Sequence, residues 1–197
     1  MRICIARHGE SLDDIEDCYG GIADFPLTDK GRKQARDLAH QLKEAKLQAI
    51  FSSPLVRARE TADIIASELG GGISVIVIEN LKERNSYGVL SGCNKERAKQ
   101  IFGHVLKGLK EKPGYSKEPL LGAEDFDEFV LRVHKVFKEV TDLALAQGIE
   151  RLAIVTHGKF TQALFEYVFK IKENVYLDLS ALNIVDYKPA TAVLLQR

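Results

Sequence analysis

Four short apolar runs, at residues 3–6, 49–51, 75–78 and 152–155, recur between stretches whose apolar residues repeat at helical spacing. Runs of four or so apolar residues read as strands buried on both faces, and parallel neighbours need helical crossovers between them. The alternation predicts an α/β fold: a three-layer α/β/α sandwich around a mainly parallel sheet. Two further strands are expected at residues 181–187 and 192–196.

The connecting helices have legible ends. Thr28 reads as an N-cap before Ala35, Leu38, Ala39 and Leu42, with the helix ending near Lys46. Ser53 reads as the cap of a helix with Pro54 in its first turn and Leu55, Ala58, Ala62, Ile65 and Leu69 on its buried face. Asp125 and Glu128 open a long helix whose stripe is Phe126, Phe129, Val130, Val133, Phe137, Val140 and Ala144, stopped by Gly148. A last helix is expected over residues 160–169. Residues 11–19 read as acidic and irregular, and residues 20–26 as a turn-rich loop. Residues 94–122, with a short helix near 95–102, read as an excursion over the active site.

At 197 residues the chain suits one domain spanning 1–197. Lys plus Arg equals Asp plus Glu, at 28 each, so net charge calls for neither nucleic acid nor an anionic membrane as partner. No run is long enough to span a bilayer and no signal peptide is evident, so a cytoplasmic location is expected. Cys4, Cys18 and Cys93 are odd in number and widely spaced, which predicts a core thiol at Cys4 and two free thiols, not a disulfide framework. The sequence sets no oligomeric state.

The chemistry-bearing residues fall just after strands. The first run ends in Arg7-His8-Gly9-Glu10, Arg57 follows the second, Glu83 and Arg84 follow the third, and His157-Gly158-Lys159 follows the fourth. Arg-His-Gly alone fits a solvated turn, but His8, Arg57, Glu83 and His157 all lie beyond the carboxyl ends of strands, where open α/β sheets bind ligands. Guanidiniums and imidazoles converging on one crevice suit a phosphate, and a neutral imidazole can attack phosphorus in line to form a phosphohistidine. A carboxylic acid at the pocket edge can protonate the leaving alkoxide and later take a proton from water; Glu83 is the candidate. Glu10 is the competing carboxylate, expected to turn aside. The scheme needs no metal, and the two histidines lack the helical spacing of a zinc site.

Several ordered motifs resemble the histidine phosphatase superfamily, which includes the cofactor-dependent phosphoglycerate mutases. They are residues 7–11, then Asp24-Phe25-Pro26-Leu27-Thr28 with Gly31, then Ser52-Ser53-Pro54-Leu55 with Arg57-Ala58 and Thr61-Ala62, then His157-Gly158. The resemblance implies a phosphoglycerate mutase-like fold, phosphorylation of His8, a phosphate pocket lined by Arg7, Arg57 and His157, and Glu83 as proton donor. It also extends candidate substrate contacts to Ser11, Asp14, Gly21, Ile22, Arg84, Tyr87, Lys95, Gly158 and Lys159.

Four departures matter. The segment from Leu81 to Gly88 looks like the mutase branch's but carries one extra residue before Tyr87. Asp14 stands where the family often has Asn, so a carboxylate would face the phosphate unless protonated or turned away. Lys159 replaces the usual Asn, and the adjacent Arg pair that grips the far end of a mutase substrate is absent. The shorter chain and the missing Arg pair favour a cofactor-free phosphatase acting on small phosphorylated metabolites. The alternatives are a mutase, which would need 2,3-bisphosphoglycerate, and a silent phosphate-binding or protein phosphohistidine phosphatase module.

Overall fold

The computed structural model describes residues 1–110, 120–188 and 191–196. Its strands are β1 (Arg2–Arg7), β2 (Ala49–Ser52), β3 (Ser74–Val77), β4 (Arg151–Thr156), β5 (Leu182–Lys188) and β6 (Thr191–Gln196). Its α-helices are α1 (Leu12–Ile15), α2 (Asp29–Leu42), α3 (Val56–Leu69), α4 (Lys95–Lys110), α5 (Phe126–Ala146) and α6 (Gly158–Ala163). One six-stranded sheet runs in the order β3-β2-β4-β1-β5-β6. The first four strands are mutually parallel, and β5 pairs antiparallel with both β1 and β6, which makes the sheet mixed.

Strand alternation explains why β1 has no polar face. Ile3 and Ile5 join Phe51, Ile154 and the α5–α6 residues Phe129, Val133, Phe137 and Phe160 in one apolar cluster. Cys4 and Ala6 point the other way, into a second cluster with Ile50, Val155 and the α2–α3 residues Leu38, Leu42, Ala62 and Ile65. Helices therefore cover both faces, and each fully buried Ile, Leu or Phe contributes about 1.5–3 kcal/mol. Burial pushes the Cys4 thiol up to about 11, as expected of a core cysteine.

Thr28 caps α2, its side chain accepting from the Gly31 N–H, and Gly148 at φ 67° follows α5. The structure corrects several expected boundaries. Residues 11–19 contain the turn of helix α1, opened by the Ser11 N–H donating to Asp14 Oδ2 at 2.9 Å. Helix α3 begins at Val56, not at Pro54, because its first N–H is taken by Asp24 Oδ1 from the 20–26 loop at 2.6 Å. Ser53 is thereby free for another partner. Val136 and Thr141 join the buried stripe of α5, whereas Val130 is only half-buried.

Strand β3 lies at the sheet edge and is partly exposed. The last helix starts two residues early and widens into a π-type turn at Leu164–Phe169. Helix α4 extends to Lys110 across a break at Phe102, and residues 111–119 of the expected excursion lie outside the described residues. No described helix is long and apolar enough to cross a membrane.

Candidate active site

β1 leaves the sheet at Arg7 and delivers His8 over the strand ends. The His8 N–H still donates to Thr156 O at 3.1 Å, and the side chain is almost fully buried. Its Nδ1 lies 2.7 Å from Gly9 O. A carbonyl only accepts, so Nδ1 carries the proton and Nε2 presents a lone pair. Arg57 Nε donates to that lone pair at 3.2 Å. Burial, then the charges of Arg57 and Arg7, hold the imidazole well below its ordinary 6.5, outweighing the Gly9 carbonyl. His8 is thus a neutral base with its free nitrogen facing a guanidinium.

The turn after His8 requires glycine. A Cβ on Gly9 would sit 2.5 Å from Gly31 O, and one on Gly31 would sit 2.0 Å from Glu10 O, so the turn packs backbone to backbone on the start of α2. Glu10 is turned outward, accepting from Lys30 at 2.7 Å and Thr28 at 2.8 Å.

Arg57 projects from the first turn of α3 and is buried. Its Nη1 and Nη2 donate to Ala23 O and Gly21 O, each at 2.8 Å, which ties the 20–26 loop to the site. Thr61 Oγ1, one turn on, accepts the Gly9 N–H at 3.2 Å and donates to Arg57 O at 2.8 Å. Arg7 donates through Nη1 to Leu177 O at 2.7 Å, and its Nε is buried without a partner among the described residues. A Cβ on Gly158 would lie 3.4 Å from the guanidinium, in van der Waals contact with it. His157, at the exit of β4, has its ring centroid 5.1 Å from that of His8. It too is held neutral, by burial first and then by Arg57.

Glu83 reaches the site from the loop after β3. Its Oε1 accepts from the N–H groups of Arg84 at 2.8 Å and Phe160 at 3.2 Å, and its Oε2 from Lys159 N at 3.1 Å. The loop is clamped by Arg132 of α5, which donates to the carbonyls of Asn80 at 2.6 Å, Lys82 at 2.9 Å and Glu83 at 3.3 Å.

These groups surround a cavity of about 430 Å³ whose walls include Arg7, His8, Asp14, Gly21, Arg57, Glu83, Arg84, Tyr87, Lys95, Gly158 and Lys159. Three anticipated contacts are not on its wall. Ser11 is fully buried, donating to Asp13 at 2.6 Å; Ile22 points to solvent; His157 is fully buried, its ring against that of His8, which does line the cavity. Asp14 is occupied with the Ser11 backbone and hydroxyl, a partial answer to the repulsion expected of it. Lys159 donates to Ser86 Oγ at 2.8 Å across the rim, and burial lowers its ammonium below the usual lysine range.

The wall also holds Asp13, Cys18, Gly20, Gln162 and Leu177, which sequence reasoning missed. Asp13 had a signal in its place beside Asp14. Leu177 had none, because it serves Arg7 through a backbone carbonyl.

A family model described as histidine phosphatase superfamily (branch 1) matches residues 3–196. The chain belongs to the histidine phosphatase superfamily. It is 32% identical over 190 residues to a 2,3-bisphosphoglycerate-dependent phosphoglycerate mutase from Parvibaculum lavamentivorans, covering 95% of this chain and 87% of that one. It is 33% identical over 165 residues to phosphoglycerate mutase-like protein 4 from Arabidopsis thaliana, covering 83% and 69%. In fold it is similar to the alpha-ribazole phosphatase from Shigella flexneri, with TM-score 0.83, 22% identity and 98% and 94% coverage. It is also similar to phosphoglycerate mutase from Bacillus anthracis, with TM-score 0.82, 21% identity and 100% and 92% coverage. The superfamily's phosphatases and mutases thus both have the phosphoglycerate mutase-like fold described above.

Proposed function

We propose that the chain is a phosphatase of small phosphorylated metabolites that works through a phosphohistidine on His8. The observation that carries this reading is the neutral His8 whose bare Nε2 faces the Arg57 guanidinium inside a cation-lined cavity. Substrate phosphate replaces His8 as the partner of Arg57 Nε, and Arg7 and Arg57 hold the equatorial oxygens while Nε2 attacks phosphorus in line. The bond from phosphorus to the leaving oxygen breaks as the N–P bond forms. Glu83 delivers a proton to that oxygen, and Oε2, with its single backbone donor, is the atom suited to carry it. In the second half Glu83 takes a proton from water, whose oxygen displaces the imidazole from phosphorus. A cavity of about 430 Å³ holds a phosphate with a small alcohol.

A mutase must grip a second anionic group. Two outer cations already have partners: Lys95 pairs with Asp17 at 2.6 Å, and Arg84 Nη2 donates to Glu124 O at 3.1 Å with its guanidinium against Phe126, while Arg84 Nε has no partner among the described residues. This supports hydrolysis over mutase chemistry. The mutase remains the second reading because relatives at 30–33% identity bear that name.

The test is release of p-nitrophenol from p-nitrophenyl phosphate in EDTA by the unmodified protein and by His8→Ala. Turnover lost in the variant is the expected result. Absence of turnover in the unmodified protein, with interconversion of 3- and 2-phosphoglycerate on added 2,3-bisphosphoglycerate, would establish the mutase instead.

A further inference from the structure

Ser53 is fully buried at the exit of β2, and it caps no helix. Its Oγ lies 2.7 Å from His157 Nε2 and accepts the Leu55 N–H at 3.3 Å. The other ring nitrogen, His157 Nδ1, is buried and has no partner among the described residues.

The direction of the Ser53–His157 bond follows from proton accounting. A serine hydroxyl donates one hydrogen and accepts two. If Nε2 carried the imidazole proton and donated it to Ser53, the hydroxyl hydrogen would need an acceptor of its own, and the described residues offer it no other. An unsatisfied buried hydroxyl costs about 1–3 kcal/mol. The arrangement that satisfies every group runs Leu55 N–H to Ser53 Oγ, then Ser53 O–H to His157 Nε2. A neutral imidazole accepting at Nε2 carries its hydrogen at Nδ1. That hydrogen is a buried donor awaiting an acceptor, beside His8 and close to the two guanidiniums.

We propose that Ser53 is a positioning residue that fixes His157 in its Nδ1–H tautomer, so that His157 meets the bound phosphate as a hydrogen-bond donor. The opposite tautomer would turn a lone pair toward a phosphate oxygen and repel it. Two histidines of the site are thereby set to complementary roles by different partners. Gly9 O keeps the proton of His8 on Nδ1 and bares Nε2 for attack, while Ser53 places the proton of His157 on the nitrogen that faces no protein acceptor. Burial and the surrounding cations keep His157 neutral, which is why its tautomer decides the sign of the contact. The proposal deepens the phosphatase reading and relies on it only for phosphate as the ligand.

The test is nitrogen-15 NMR of histidine-labelled protein, without ligand, assigned with His8→Asn and His157→Asn variants. Nδ1 of His157 is expected in the protonated range and Nε2 in the lone-pair range. Binding of inorganic phosphate and orthovanadate to Ser53→Ala is measured in parallel, with Ser53→Thr as the variant that keeps the hydroxyl. Ser53→Ala is expected to mix the tautomers and weaken both anions about tenfold or more, the loss of roughly one charge-assisted hydrogen bond, while Ser53→Thr restores the single tautomer. A proton on Nε2 in the unmodified protein overturns the proposal, as does Ser53→Ala binding with unchanged affinity. The NMR readout needs neither turnover nor a folded Ser53 variant, so it stands whichever way the phosphatase assay falls.

Discussion

Replacement of Arg132 by Met removes the clamp on the loop that carries Glu83. Arg132 makes a bidentate pair with Glu124, Nε to Oε1 at 2.7 Å and Nη2 to Oε2 at 2.8 Å, and its side chain is packed over the Phe129 ring. The two side chains are only 13% and 19% exposed, so the variant leaves the Glu124 carboxylate in a mostly dry place with the Asn85 N–H, at 3.3 Å, as its remaining donor. Breaking one side of a buried pair costs about 3–5 kcal/mol, and the residual exposure favours the low end, about 3 kcal/mol. In a chain of this length each kcal/mol lowers Tm by about 2–4 °C, so a drop of about 6–12 °C is expected by circular dichroism. Three loop carbonyls also lose their donor, so kcat on p-nitrophenyl phosphate should fall more than KM rises, because Glu83 acts on the leaving group and not on phosphate binding. Arg132→Lys keeps the charge but not the fork, and should fall between. A Tm change under 2 °C with kcat intact would refute the clamp.

Further expectations concern the backbone and pH. Gly31→Ala drives a Cβ toward Glu10 O, a contact of 2.0 Å that only backbone movement relieves; a loss of at least about 1–3 kcal/mol in urea unfolding is expected, and a variant of unchanged stability would contradict the close approach. His8 and His157 are both held well below 6.5, so the unfolded chain binds protons that the folded chain refuses. Their contribution to stability is complete above 6.5 and is lost as pH falls below it, by roughly 1 kcal/mol per group for each pH unit; the urea midpoint of His8→Asn should fall less steeply between pH 6.5 and 5 than that of the unmodified protein. The same depression keeps His8 nucleophilic in mild acid, so kcat/KM should show no acid limb from His8 near 6.5.

The strands and helices were legible because each obeys a local rule: two-sided burial in β1, Thr28 at an N-cap, Gly148 after α5. Arg7, His8, Arg57, Glu83 and His157 were legible as a set because each sits at the carboxyl end of a strand or a few residues beyond it. What escaped was decided by distant partners. Ser53 reads locally as a cap, yet Asp24 takes that task from 32 residues away and leaves Ser53 to His157. Arg132 reads as one more charge on an amphipathic helix, and only the folded chain reveals that its fork meets carbonyls 49 to 52 residues earlier. Ile22, a contact that the resemblance implies, points to solvent because the loop serves Arg57 through carbonyls, not side chains.

The most direct measurement is rapid mixing with p-nitrophenyl phosphate, quenching in alkali where phosphoramidates survive, and peptide mass spectrometry. A transient phosphoryl group on the peptide carrying His8, lost in His8→Ala and persisting longer in Glu83→Gln, is the predicted result. Turnover with no phosphoryl group on His8 at any time would contradict the account.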